Sequence, residues 1–169
     1  MSARCATGTP TYGPLGYAAA ALESYRIFAR LKAAGAIRAR ARFQVGLPTP
    51  MGVIATFMDE DAQRLAEPPY AARLAQEVDE ICAEIPADTL SLQWDIPIEV
   101  AVWEGSTRAY FPDARQGMVE RLAKLMRRVP SGVEQGLHVC YGDISHKHFK
   151  EPDAAVVSAL VKAVVAAIG

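Results

Sequence analysis

Apolar and polar residues change period repeatedly along this chain, and the changes divide it into alternating helices and strands. Leu22, Tyr25, Phe28 and Leu31 recur at helical spacing over residues 16–34, which predicts a helix with one apolar face stopped at Gly35. "ARFQVGL" at 41–47 then alternates as a strand does, and "PTP" ends it. "MGVIATFM" at 51–58 is almost wholly apolar and fits either a short strand or an apolar loop lid. Pro68 and Pro69 punctuate the next region; beyond them Leu74, Val78, Ile81 and Ile85 mark a second helix closed by Pro86. "DTLSLQWD" at 88–95 predicts a second strand, and a loop near "EGSTRAYFPD" leads to a third helix carrying Val119, Leu122, Leu125 and Met126. "GVEQGLHVCYGD" supplies a third strand, with 136–141 as its centre, and a fourth helix opens near Pro152. A helix followed by three strand–helix units predicts an α/β fold with a parallel sheet, its strand C-termini at one end. Residues 1–15, rich in Gly, Thr and Pro, read as an irregular arm before a single domain over 16–169.

Each predicted strand shares one anomaly. Phe43, Val45 and Leu47 oppose Arg42, Gln44 and Gly46; Leu90, Leu92 and Trp94 oppose Ser91, Gln93 and Asp95; Leu137, Val139 and Tyr141 oppose His138, Cys140 and Gly142. Buried parallel strands are normally apolar on both faces. One polar or small face on all three strands fits either a barrel whose interior lines a ligand site or a sheet with one solvated face.

Composition narrows the partners. The chain has 169 residues, 51% of them hydrophobic, and a net charge of −1, enough for a core and without the basic excess of a nucleic-acid protein. "RLAKLMRR" at 121–128 reads as a solvated helix face. No apolar run reaches membrane-spanning length, the start lacks the apolar core of a signal peptide, and three scattered cysteines form no disulfide framework, so a reducing cytoplasm is the expected setting.

The chemistry-bearing residues gather toward the strand C-termini. Asp95 ends its strand where barrel enzymes place their chemistry, although Asp is also a common turn residue, and Glu99 follows four residues later. In "LHVCYGDISHKHF" at 137–149, His138 and Cys140 stand two apart, a spacing that lets imidazole and thiolate bite one metal, zinc above all. Zinc needs at least a third protein donor, and neither His146, His148, Asp143 and Glu151 nearby nor the distant Cys5 and Cys82 has a spacing that marks it as that donor. A structural Cys140 with a hydrogen-bonded His138 is the plainer alternative.

"RFQVGLPTPMGV", "LSLQWDIPIEV" and "HVCYGD", in this order, resemble the catalytic barrel of the cobalamin-independent methionine synthase family, which shares a superfamily with uroporphyrinogen decarboxylase. The likeness covers roughly residues 17–168 and is strongest to short methionine-synthase-like members. It implies a barrel of (β/α) units, zinc held by His138 and Cys140, methyl transfer from a folate donor to a thiol such as homocysteine, and Asp95 as the carboxylate that holds the amino group of the substrate. Gln93, Gln44 and Glu99 join Asp95 as substrate-binding candidates. The chain departs from the family where Asp95-Ile96-Pro97 replaces Asp-Glu-Pro, and it has no cysteine after Cys140 to complete the zinc set. With three or four strands it corresponds to an incomplete barrel. A decarboxylase-like or lyase-like enzyme without zinc, and a non-catalytic binding protein, are the competing expectations. Open strand edges further predict a homo-oligomer or capture of a complementary chain.

Overall fold

The computed structural model describes residues 9–169, so Cys5 and the first part of the 1–15 arm lie outside the described residues. Tyr17–Ala33 form α1, and the chain then enters β1, Phe43–Pro48. Two helices follow, α2 (Pro50–Phe57) and α3 (Glu60–Glu84), before β2, Leu90–Asp95. Helices α4 (Pro97–Trp103) and α5 (Ala114–Arg127) lead to β3, Glu134–His138, and α6 (Ala154–Ile168) closes the chain. The strands form one parallel sheet in the order β1-β2-β3, with Leu92 beside Val45 on one side and Gln135 on the other.

Apolar alternation determines which face is covered. Val45, Leu47, Leu90, Leu92 and Trp94 are buried in one core with Leu74, Val78 and Ile81 of α3 and Met118 and Leu122 of α5. The opposite face carries Gln44, Gly46, Glu134, Gly136 and His138, all exposed, and Ser91, Gln93 and Asp95, half-buried. The expected helix-bearing and polar faces are therefore both present. Trp94, fully buried, donates its indole N–H to Gln135 Oε1 at 3.2 Å, and Gln135 in turn donates to the Met126 carbonyl of α5 at 3.0 Å. A large apolar side chain is thus sealed in without orphaning its one polar atom.

Local chemistry departs from the sequence expectations in four places. Residues 51–58 are neither strand nor lid, because Pro50 stands at the first helical turn and Thr49 Oγ1 accepts the Gly52 N–H at 2.8 Å, starting α2. The next helix begins at Glu60 and runs through Pro68 and Pro69 instead of starting after them. Two missing N–H donors weaken that turn, but neighbouring residues are held from outside: Glu67 takes a two-pronged bond from Arg121, and Tyr70 packs edge-on against Tyr12. Tertiary contacts thus override the local break. A further short helix, α4, follows Asp95 directly. Finally, β3 spans 134–138 rather than 136–141, so Cys140 lies past the strand end.

Helix α1 is fixed at both ends. Tyr25 and Phe28 rest on Phe43 of β1, with ring centroids 5.5 Å and 5.3 Å away. At its start, Glu77 of α3, 1% exposed, accepts the N–H groups of Leu15 at 2.7 Å and Ala18 at 2.8 Å and pairs with Arg73. A carboxylate here satisfies unpaired donors and faces the positive end of the helix dipole. Burial alone would raise the Glu77 pKa, but the two backbone donors and the guanidinium hold it below the ordinary 4.5. Its stabilisation is complete above that value and lost as pH falls below it. Glu77→Ala should cost about 3 kcal/mol or more, because it strands buried donors and a cation; urea unfolding at pH 7 measures this, and the loss should shrink at acid pH.

Candidate functional site

The open face of the sheet holds a continuous polar row. Gln44 Nε2 donates to Gln93 Oε1 at 2.6 Å, and Gln93 Nε2 donates to Asp95 Oδ1 at 3.1 Å. His138 Nδ1 meets the same Asp95 oxygen at 3.1 Å. Since a carboxylate accepts, Nδ1 carries the proton, which leaves Nε2 as the free ring nitrogen. The bonds from Gln44 of β1 and Gln93 of β2 therefore run in one direction to Asp95, where they meet the bond from His138 of β3. Among the described residues no bond is taken by Asp95 Oδ2, so that oxygen is free to accept from a ligand.

Register makes this geometry possible. Gln93 stands between Gly46 and Gly136, and Asp95 stands between Pro48 and His138. A Cβ at Gly136 would meet nothing within 4 Å, and one at Gly46 would meet only Gln93 Nε2, at 4.0 Å. The two glycines thus leave a shallow trough on each side of Gln93. The side chains of Asp95 and His138 are 42% and 51% exposed, so a ligand can reach both. Arg42 and Glu134, 3.1 Å apart, close the opposite end of the face.

Of the six residues expected at the site, four stand in this row: Gln44, Gln93, Asp95 and His138. Glu99 does not join it. Glu99 is 1% exposed on α4, accepts a hydrogen bond from Thr49 Oγ1, and leaves its second carboxyl oxygen without a partner. Cys140 is a half-buried free thiol two residues beyond β3. Among the described residues no three His, Cys, Asp or Glu side chains gather to hold an ion. His138 and Cys140 are two donors where zinc takes three or four, so the described residues of this chain do not form a full zinc set.

One cluster escaped sequence reasoning because its members are far apart in the chain. Tyr141, expected on the apolar strand face, instead donates its hydroxyl to Glu104 Oε1 at 2.7 Å and accepts the Asp153 N–H at 3.0 Å. Lys150 Nζ lies 2.6 Å from the other Glu104 oxygen, and Phe149 stacks on Tyr141 at 5.2 Å. Bonds from Lys150 and then Tyr141 hold the Glu104 carboxyl below its ordinary range. Tyr141 and Lys150 thus tie the loop after β3 to the end of α4. Gly142, directly after Tyr141, lies in the left-handed region at φ 68° and turns the chain there.

The Glu99 carboxyl, desolvated between α2 and α4 and only partly compensated by Thr49, is pushed up to about 7 from 4.5. Protonation therefore favours the folded state. Its stabilisation is full below pH 4.5 and is lost as pH rises toward 7, by roughly 3 kcal/mol in all. Glu99→Gln keeps the shape without the charge, so this variant should be the more stable one at pH 8 and show a flatter profile between pH 5 and 8. Denaturant unfolding across that range tests the assignment; a variant with an unchanged profile would place the carboxyl in water.

Compared with models of known protein families, with curated proteins and with solved structures, the chain matches none.

Proposed function

We propose that this chain is part of a methionine-synthase-like (β/α) barrel and that its open sheet face binds the ammonium group of a small amino acid. An amino-acid thiol such as homocysteine is the first candidate. The observation that carries the reading is the hydrogen-bonded row that converges on Asp95 at the strand C-terminal end. Gln44 and Gln93 orient the carboxylate, His138 holds it from the other side, and an ammonium donating to Oδ2 gains a charge-assisted bond. The resemblance in "RFQVGLPTPMGV", "LSLQWDIPIEV" and "HVCYGD" supports the same assignment.

Binding, rather than complete methyl transfer, is the contribution of these residues. Among the described residues His138 and Cys140 supply two zinc donors at most, fewer than the three or four that zinc takes. No step of the binding proposal depends on the metal. The alternative superfamily chemistry without zinc would use the same carboxylate.

Titration of the labelled protein with L-homocysteine should shift NMR signals of Gln93, Asp95 and His138, and N-acetyl-L-homocysteine, which lacks the ammonium, should not. Asp95→Asn should weaken binding about tenfold or more, the scale of a lost charge-assisted bond. Equal binding of the acetylated compound, or of the Asn variant, would overturn the proposal.

A further inference from the structure

The cleft of about 520 Å³ between α1 and β1 is lined on one side by five consecutive strand residues, Phe43–Leu47. β1 is an edge strand, paired only with β2 among the described residues. Phe43 donates its N–H toward β2, to the Thr89 carbonyl at 2.7 Å. Because successive peptide groups of a strand point to opposite edges, the N–H and C=O groups of Gln44 and Gly46 face the cleft. The facing wall is the first half of α1, where Ala20, Ala21 and Ser24 present small, uncharged side chains. Helix α1 itself cannot swing in to close the gap, being fixed on Phe43 by Tyr25 and Phe28 and on α3 through Glu77.

We propose that this cleft is a docking slot for one extended, uncharged peptide strand that pairs with the outer edge of β1 beneath α1. Two outward donors and two outward acceptors at alternate residues are the pattern a strand ladder requires. Five residues of β1 at about 3.3 Å each set the length of the occupant. Its side chains would alternate between the apolar wall of α1 and the polar open face, so apolar and hydroxyl residues should alternate. A charged side chain turned toward α1 would be desolvated without a partner. The proposal is independent of the ligand read for Asp95.

A second copy of the chain does not fit this slot. Pairing two β1 edges about a two-fold axis would place both α1 helices over the same seam. The paired strands would be about 4.8 Å apart, whereas packed helices need about 8–10 Å between axes. A lone strand brings no helix of its own.

The test uses the full chain and the capped peptide acetyl-Thr-Val-Thr-Val-Thr-amide, followed by NMR amide exchange. Binding should slow exchange at Gln44 and Gly46 while leaving Asp95 and His138 unshifted. A peptide N-methylated at alternate residues should bind at least tenfold more weakly, and so should wild-type peptide to Ser24→Trp, an exposed substitution that fills the cleft without disturbing the core. Exchange at Gln44 and Gly46 that the peptide leaves unchanged, or binding indifferent to N-methylation and to Ser24→Trp, would overturn the proposal. So would sedimentation showing a dimer in which these two amides are already protected without peptide.

Discussion

Because successive side chains of a strand point to opposite faces, the register that aligns Gly46, Gln93 and Gly136 also aligns Leu47, Trp94 and Leu137 one residue later. A slip of one residue in β2 would bring Gln93 and Asp95 under the helices and push Leu92 and Trp94 into water. Burying a fully covered Leu or Trp is worth about 1.5–3 kcal/mol each relative to exposure, and an unpaired buried carboxylate costs several more. The apolar core therefore holds the polar row in place through the register of the strands. Trp94 gives the sharpest specification, since its indole N–H finds Gln135 only when β3 is paired as it is.

Two buried carboxylates show how differently the fold treats the same chemical group. Glu77 meets two backbone N–H groups and a guanidinium, and so stays charged while it anchors α1 to α3. Glu99 meets one hydroxyl, and burial then favours its neutral form. Both link elements distant in the chain, α1 to α3 and α2 to α4. The Glu77 link holds the helix that walls the β1 cleft, and the Glu99 link holds the two helices that leave the C-terminal ends of β1 and β2.

Period-2 alternation in 41–47 and 88–95 made both strands and their covered face legible, because the signal lies within a few residues. The parallel arrangement followed from the intervening helices. What stayed hidden depended on contacts across the chain. Pro68 and Pro69 read as a break, but bonds made by Glu67 and packing at Tyr70 carry α3 through them. Tyr141 and Cys140 continued the alternation of the third strand on paper, whereas Glu104 and Asp153 draw Tyr141 out of the ladder. Glu99 looked like a neighbour of Asp95 at four residues' distance, yet its helical turn carries it to Thr49 and out of solvent.

The central claim is that one face of the sheet is sealed and the other open in the stated register. Single cysteines placed at Ser91, Leu92, Gln93 and Asp95, with peptide-resolved measurement of thiol alkylation under native conditions, test it most directly. Rapid modification at 91, 93 and 95, with 92 protected until the protein unfolds, is the predicted result; a uniform rate, or a protected 93 beside a reactive 92, would contradict it.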